Sequence, residues 1–159
     1  MIISDTSPLM NLAVVGYLEL LHELYDAVII PEAVWSELSK LSSQHPEVAT
    51  VTLSWLERQS VTSRAVVDAL QAELDLGEAE AIALAVEKQA DLLLIDERRG
   101  RQVATRMGLT YVGLMGILLK AKRDGFLPEV KPVLDDLIAK AGFWVSRALY
   151  TRVLQTAGE

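Results

Sequence analysis

Apolar and polar positions alternate in short blocks along this chain. Ile2-Ile3-Ser4 reads as a strand, and Asp5-Thr6-Ser7-Pro8 follows as a helix start with Ser7 as cap and Pro8 at the first helical position. Leu9, Leu12 and Ala13 repeat at helical spacing until Gly16, and Leu18, Leu21 and Leu24 mark a second short helix. Ala27-Val28-Ile29-Ile30 reads as a buried strand stopped by Pro31, and Val34, Leu38 and Leu41 form the stripe of the next helix. Ser42 to Pro46 reads as a loop, while Leu53 to Val61 fits a strand or a short helix. Residues 66–74 look helical. Asp75-Leu76-Gly77-Glu78 then begins the clearest helix, running to about Gln89. Leu92-Leu93-Leu94-Ile95 is a continuous apolar run closed by Asp96, the pattern of a strand buried on both faces. A helix from about Arg98 to Met107, a short strand at Tyr111-Val112 and three helices between Leu114 and Leu154 complete the chain.

Short apolar strands alternating with helices predict an α/β fold around a mainly parallel sheet of four or five strands. A length of 159 residues suits one domain with its own core, and residues 114–159 read as a helical extension packed on it. The apolar stretch Pro8–Leu18 follows Asp5 rather than a basic residue, and Glu19 ends it well short of the roughly 18 residues a membrane span needs. A soluble, cytoplasmic protein is expected. Absence of cysteine excludes disulfides, thiolate zinc sites and a cysteine nucleophile, and two histidines, His22 and His45, exclude a histidine-rich metal site. Phe143, Trp144, Leu149 and Val153 read most simply as core, and more sharply as a dimer or partner surface.

Candidate chemistry lies in the acids. Ligands of open parallel sheets bind outside the carboxyl ends of the strands, where Asp5 and Asp96 fall. Both also suit a helix entry, favoured there by the helix dipole. Glu78 has the spacing of a capping box with Asp75. On a helical wheel Ala81, Ile82 and Ala85 lie within about 60° of Glu78, whereas Glu80, Glu87 and Asp91 gather at about 180–220°. Glu78 is therefore expected on the sheet-facing side and Glu80 on the solvated side. Glu37 borders the Val34/Leu38/Leu41 stripe. Four carboxylates in one cleft would repel each other, and hard oxygen-seeking cations such as Mg²⁺ or Mn²⁺ relieve this, which suits phosphodiester hydrolysis.

The ordered segments DTSPLMNL with Asp5, PEAVWSEL with Glu37, LDLGEAEAIALA with Glu78 and ADLLLIDERRGR with Asp96 resemble the PIN-domain ribonucleases. The similarity spans essentially the whole chain, and it is nearest to the VapC-like toxin branch, in a subgroup with a GEAEAIALA signature. The resemblance implies a three-layer α/β/α sandwich and a pocket that binds one or two Mg²⁺ or Mn²⁺ ions and cleaves RNA. It implies Asp5 and Asp96 as main metal ligands, Glu78 as a direct or water-mediated ligand, and Glu37 as the residue that orients water or completes a second ion's shell. Ser7 or Thr6 would supply a supporting hydroxyl. A cognate antitoxin of a type II toxin–antitoxin pair is implied as a partner, and a homodimer is expected. The sequence departs from the family at Leu94, where relatives often carry threonine or serine, and Glu97 is an alternative ligand to Asp96. A PIN-like scaffold without activity and a phospho-receiver domain are the competing readings. Against the receiver, a single acid follows the first strand, proline follows Ile30 and glycine follows Val112.

Charge sharpens the picture. The net charge of −7 argues at first against a nucleic-acid partner. Yet residues 1–97 hold 17 acidic and 4 basic side chains, whereas residues 98–123 hold 7 basic and no acidic ones. Arg98, Arg99 and Arg101 follow the fourth acid directly and are candidate RNA contacts.

Overall fold

The structure is a computed structural model that describes residues 1–46 and 53–159. Its sheet comprises β1 (Ile2–Ser4), β2 (Val28–Pro31), β3 (Leu56–Gln59), β4 (Leu92–Leu94) and β5 (Tyr111–Val112). All pairings are parallel, in the order β3-β2-β1-β4-β5. Ile3 registers with Ile29 on one side and with Leu93 on the other. The order reverses between β1 and β4, so a cleft opens at the carboxyl ends of those two strands. A receiver domain has the different order 2-1-3-4-5, which removes that competing reading.

Between the strands run α1 (Thr6–Val14), α2 (Glu19–Tyr25), α3 (Glu32–Gln44), α4 (Arg64–Leu70), α5 (Leu76–Glu87) and α6 (Arg98–Arg106). Three more follow β5: α7 (Leu114–Arg123), α8 (Lys131–Lys140) and α9 (Arg147–Thr156). Strand side chains alternate between the two faces. Ile3, Ile29, Leu93 and Ile95 pack with the small buried residues of α5 and with Val67 and Val103. Val28, Ile30 and Leu94 pack on the other face with Leu9, Leu12, Leu114, Ile117 and Leu134. The result is a three-layer α/β/α sandwich. Helices α7 and α8 share the second core, so residues after Gly113 are integral to it. No helix among the described residues is long and apolar enough to cross a membrane.

Several local expectations need correction. The first helix is capped by Asp5, not Ser7, because the Asp5 N–H still donates to the Leu94 carbonyl at 2.9 Å and the helix begins at the next residue. Pro8 then sits within the first turn, where its missing N–H leaves no bond unmade. Pro31 ends β2 instead of following it, and α3 continues through residues 42–44, part of the expected loop. The uncertain stretch around residues 53–61 contains the strand β3; the connection before it falls partly outside the described residues. In the aromatic tail series only Val153 is core, while Trp144 is 82% exposed and Leu149 is also exposed.

Candidate active site

Asp5 stands at the carboxyl end of β1, 3% exposed, locked by its backbone bond to β4. Strand alternation aims it toward the α5 layer, the side that Ile3 faces. Glu78, 5% exposed, lies close enough to Asp5, in the first turn of α5, for the two charges to repel. Asp75 starts that helix by accepting the Glu78 N–H at 2.8 Å on Oδ1. Glu37 arrives from α3, and Thr6 Oγ1 donates to its Oε2 at 2.6 Å. Thr6 is thus the hydroxyl that supports an acid, whereas Ser7 Oγ accepts from Asn11 Nδ2 at 3.1 Å. Asp5, Thr6, Ser7, Glu37, Asp75 and Glu97 line a pocket of about 170 Å³.

Glycines make this crowding sterically possible. A Cβ at Gly77 would lie 2.5 Å from Glu37 Oε1, and one at Gly100 would lie 2.9 Å from Glu78 Oε2 and 2.5 Å from Ile95 Cδ1. Glu37 therefore abuts the start of α5, and Glu78 reaches across to α6.

The electrostatics follow from burial and proximity. Burial pushes the Asp5 carboxyl up to about 7, with Asp75, Glu37 and Glu97 raising it further against a backbone bond at Thr6. Burial likewise pushes Glu78 up to about 8, reinforced by Asp75, Asp5 and Glu97. Glu37 is raised by burial and partly relieved by the Thr6 hydroxyl. Glu78 Oε2 is buried and has no hydrogen-bond partner. Such a group is costly unless a proton or a cation compensates it. Oxygen donors held this way suit a hard divalent cation. Among the described residues, however, no three histidine, aspartate or glutamate side chains form a ready-made ion site.

Of the four expected acids, Asp5, Glu37 and Glu78 come together and Asp96 does not join them. Asp96 Oδ1 accepts the Leu114 N–H at 3.0 Å, and a Cβ at Gly113 would lie 2.6 Å from that oxygen. Burial raises the Asp96 carboxyl, while the Leu114 N–H and the charge of Arg101 oppose the shift. The reason is strand parity: Leu94 and Asp96 face the α7 layer, whereas Ile95 and the extended Glu97 face the α5 layer with Asp5. Leu94, where a hydroxyl residue was the family expectation, is wholly buried core. Among the basic candidates, Arg98 and Arg101 line open cavities beside this junction. Arg99 instead donates to the Glu73 carbonyl at 3.2 Å, beside an Arg106–Glu73 ion pair.

Glu80 corrects the wheel argument. It is 3% exposed, with Oε1 accepting the Ala33 N–H at 3.4 Å and lying 3.7 Å from Arg64 Nη1. Helix α5 is covered by the sheet on one side and by α3 and α4 on the other, so it has little solvated face. Asp75 was legible only as a cap, and its contribution to the pocket's negative charge depends on α5 beginning at the cleft.

No curated protein matches this sequence. A PIN-domain family model matches residues 1–159, in agreement with the parallel sheet and the acidic pocket at its switch point. The chain belongs to the PIN-domain family.

Proposed function

We propose that this chain is a divalent-metal-dependent ribonuclease acting on single-stranded RNA. PIN domains are generally nucleases, and the family supports a phosphodiester hydrolase in that coarse sense. The carrying observation is the convergence of Asp5, Glu37, Glu78, Asp75 and Glu97, with Asp5 and Glu78 held far above the ordinary carboxylate range by burial and mutual repulsion. Asp5, Glu78 and Glu97 would hold Mg²⁺ or Mn²⁺, and Glu37, fixed by Thr6, would orient water. A bound cation supplies charge neutralisation at the attacked phosphate. Arg98 and Arg101 meet the RNA backbone beside the pocket, and Asp96 positions the start of α7. The resemblance to VapC-like toxins supports a role as the toxin of a type II pair, with an antitoxin as partner, a homodimeric state and a cytoplasmic location.

The test is cleavage of a labelled single-stranded RNA with Mg²⁺ or Mn²⁺ against a chelator control. Asp5→Asn and Glu97→Gln are each expected to lower metal-dependent cleavage at least a hundredfold, and Asp96→Asn at most about tenfold. Equal losses in Glu97→Gln and Asp96→Asn would undo the assignment of Glu97. Absence of cleavage by the native chain with either metal would favour the scaffold reading.

A further inference from the structure

One residue separates the acidic pocket from a second feature. Glu97 lines the acidic pocket, whereas Asp96 and Arg98 line a cavity of about 300 Å³ that faces the opposite layer. It is also lined by Phe143 and Trp144 of the α8–α9 connection and by Leu149 of α9. Arg98 and Arg101 also line a larger neighbouring cavity of about 560 Å³, which ends at the exposed ring of Tyr111. Arg98 and Arg101 thus line both cavities, one with Tyr111 and the other with Trp144.

Trp144 is 82% exposed, the most exposed of the large hydrophobic side chains among the described residues. The segment that carries it is held at both ends. The Phe143 N–H donates to the Leu137 carbonyl at 3.0 Å, and Ser146 Oγ caps α9 by accepting the Leu149 N–H at 3.1 Å. An indole presented on a fixed loop loses little freedom when it is covered. The Arg98 side chain makes no hydrogen bond or ion pair among the described residues, unlike those of Arg99 and Arg106, which both engage Glu73. A ligand that satisfies the ring and the guanidinium together needs a flat π-face joined to an anion a few ångströms away. An unpaired nucleotide has this chemistry. Stacked bases within a duplex do not offer their faces.

We propose that Trp144, Arg98 and Arg101 form a binding subsite for one unpaired nucleotide of RNA, adjacent to the acidic pocket. The indole stacks on the base and the two guanidinium groups hold its phosphate. The subsite orients the strand so that the neighbouring phosphate reaches Asp5 and Glu78. It rests on the ribonuclease reading for its choice of ligand, but its test does not use cleavage.

Binding of fluorescein-labelled hexauridylate to the full chain in chelator, followed by anisotropy, reads the subsite directly. Trp144→Ala is expected to weaken binding about tenfold or more, Trp144→Phe by no more than about threefold, and an RNA duplex of equal length to compete poorly. Quenching of tryptophan fluorescence by unlabelled hexauridylate should shrink in Trp144→Ala, although Trp35 and Trp55 remain. The exposure of Trp144 means that the variant keeps the fold. Unchanged affinity in Trp144→Ala overturns the proposal. Unchanged affinity together with a smaller particle on size-exclusion chromatography assigns the ring to a protein interface instead. A native chain that binds hexauridylate through Trp144 yet cleaves nothing with metal would sink the ribonuclease reading and leave this one standing.

Discussion

Residue by residue, the pocket depends on atoms that are missing as much as on those present. Glu78 reaches its position because Gly100 has no side chain, and its Oε2 fills the place where a Cβ would press. Gly100→Ala must displace both Glu78 and the Ile95 side chain. It is expected to cost about 1–3 kcal/mol of stability and to lower metal-dependent cleavage at least tenfold, as measured by thermal melts and initial rates. Native rates in this variant would show that Glu78 takes no part. The same scale explains what was legible in the sequence and what was not. Asp5 and Glu78 could be placed from strand ends and the helical wheel. Telling which of Asp96 and Glu97 lines the pocket required the parity of β4 to be carried three residues past its end, where Ile95 and Glu97 share a side.

For the individual elements, legibility tracked how many neighbours each one has. The strands and most helices follow from apolar spacing, and the α5 cap follows from Asp75 and Glu78. Helix α5 was misjudged on one face because a wheel assumes one buried side, while α3 and α4 bury the other. Glu80 is the result: one carboxylate joins the first turn of α3, through Ala33, to α4, through Arg64. Glu80→Ala leaves the Ala33 N–H without its acceptor, and a loss of about 2 kcal/mol is expected. Glu80→Gln keeps an acceptor and should lose less than half of that. Chemical denaturation of the two variants checks the ordering. For Trp144 the core reading fails and the surface reading is left, since its loop does not cover the ring, and spacing alone does not choose between the two.

Over the whole molecule, the acid-rich first part and the basic segment meet at the β4–α6 junction. The basic segment divides in use. Lys120, Lys122 and Arg123 lie in the last turn of α7, where cations complement the helix dipole, and they pair with Asp124 and Glu159. Arg98 and Arg101 remain beside the cleft. The acids give the molecule a pH response of definite sign. Asp5 at about 7 and Glu78 at about 8 hold protons that the unfolded chain has released above about pH 4. Native stability therefore falls as pH rises from about 4 to about 8. In chelator the midpoint of thermal unfolding should drop by on the order of 5 °C between pH 5 and pH 8. Asp5→Asn should flatten this slope, and Mg²⁺ or Mn²⁺ should raise the midpoint more at pH 8 than at pH 5. A midpoint that climbs over that interval without metal would contradict the electrostatic account.

The order of the sheet also governs when the pocket comes into being. β1 meets β2 within about 25 residues of chain, but its other neighbour, β4, lies about 90 residues away, as Ile2 paired with Leu92 shows. Closing so long a loop is entropically unfavourable until the contacts that follow offset it, so this pairing belongs to the slow part of folding. Until β4 docks, the bond from the Asp5 N–H to the Leu94 carbonyl is unmade and Glu97 is not beside Asp5 and Glu37. The acidic pocket is therefore a late product of folding, complete only once Glu97 follows β4 into place.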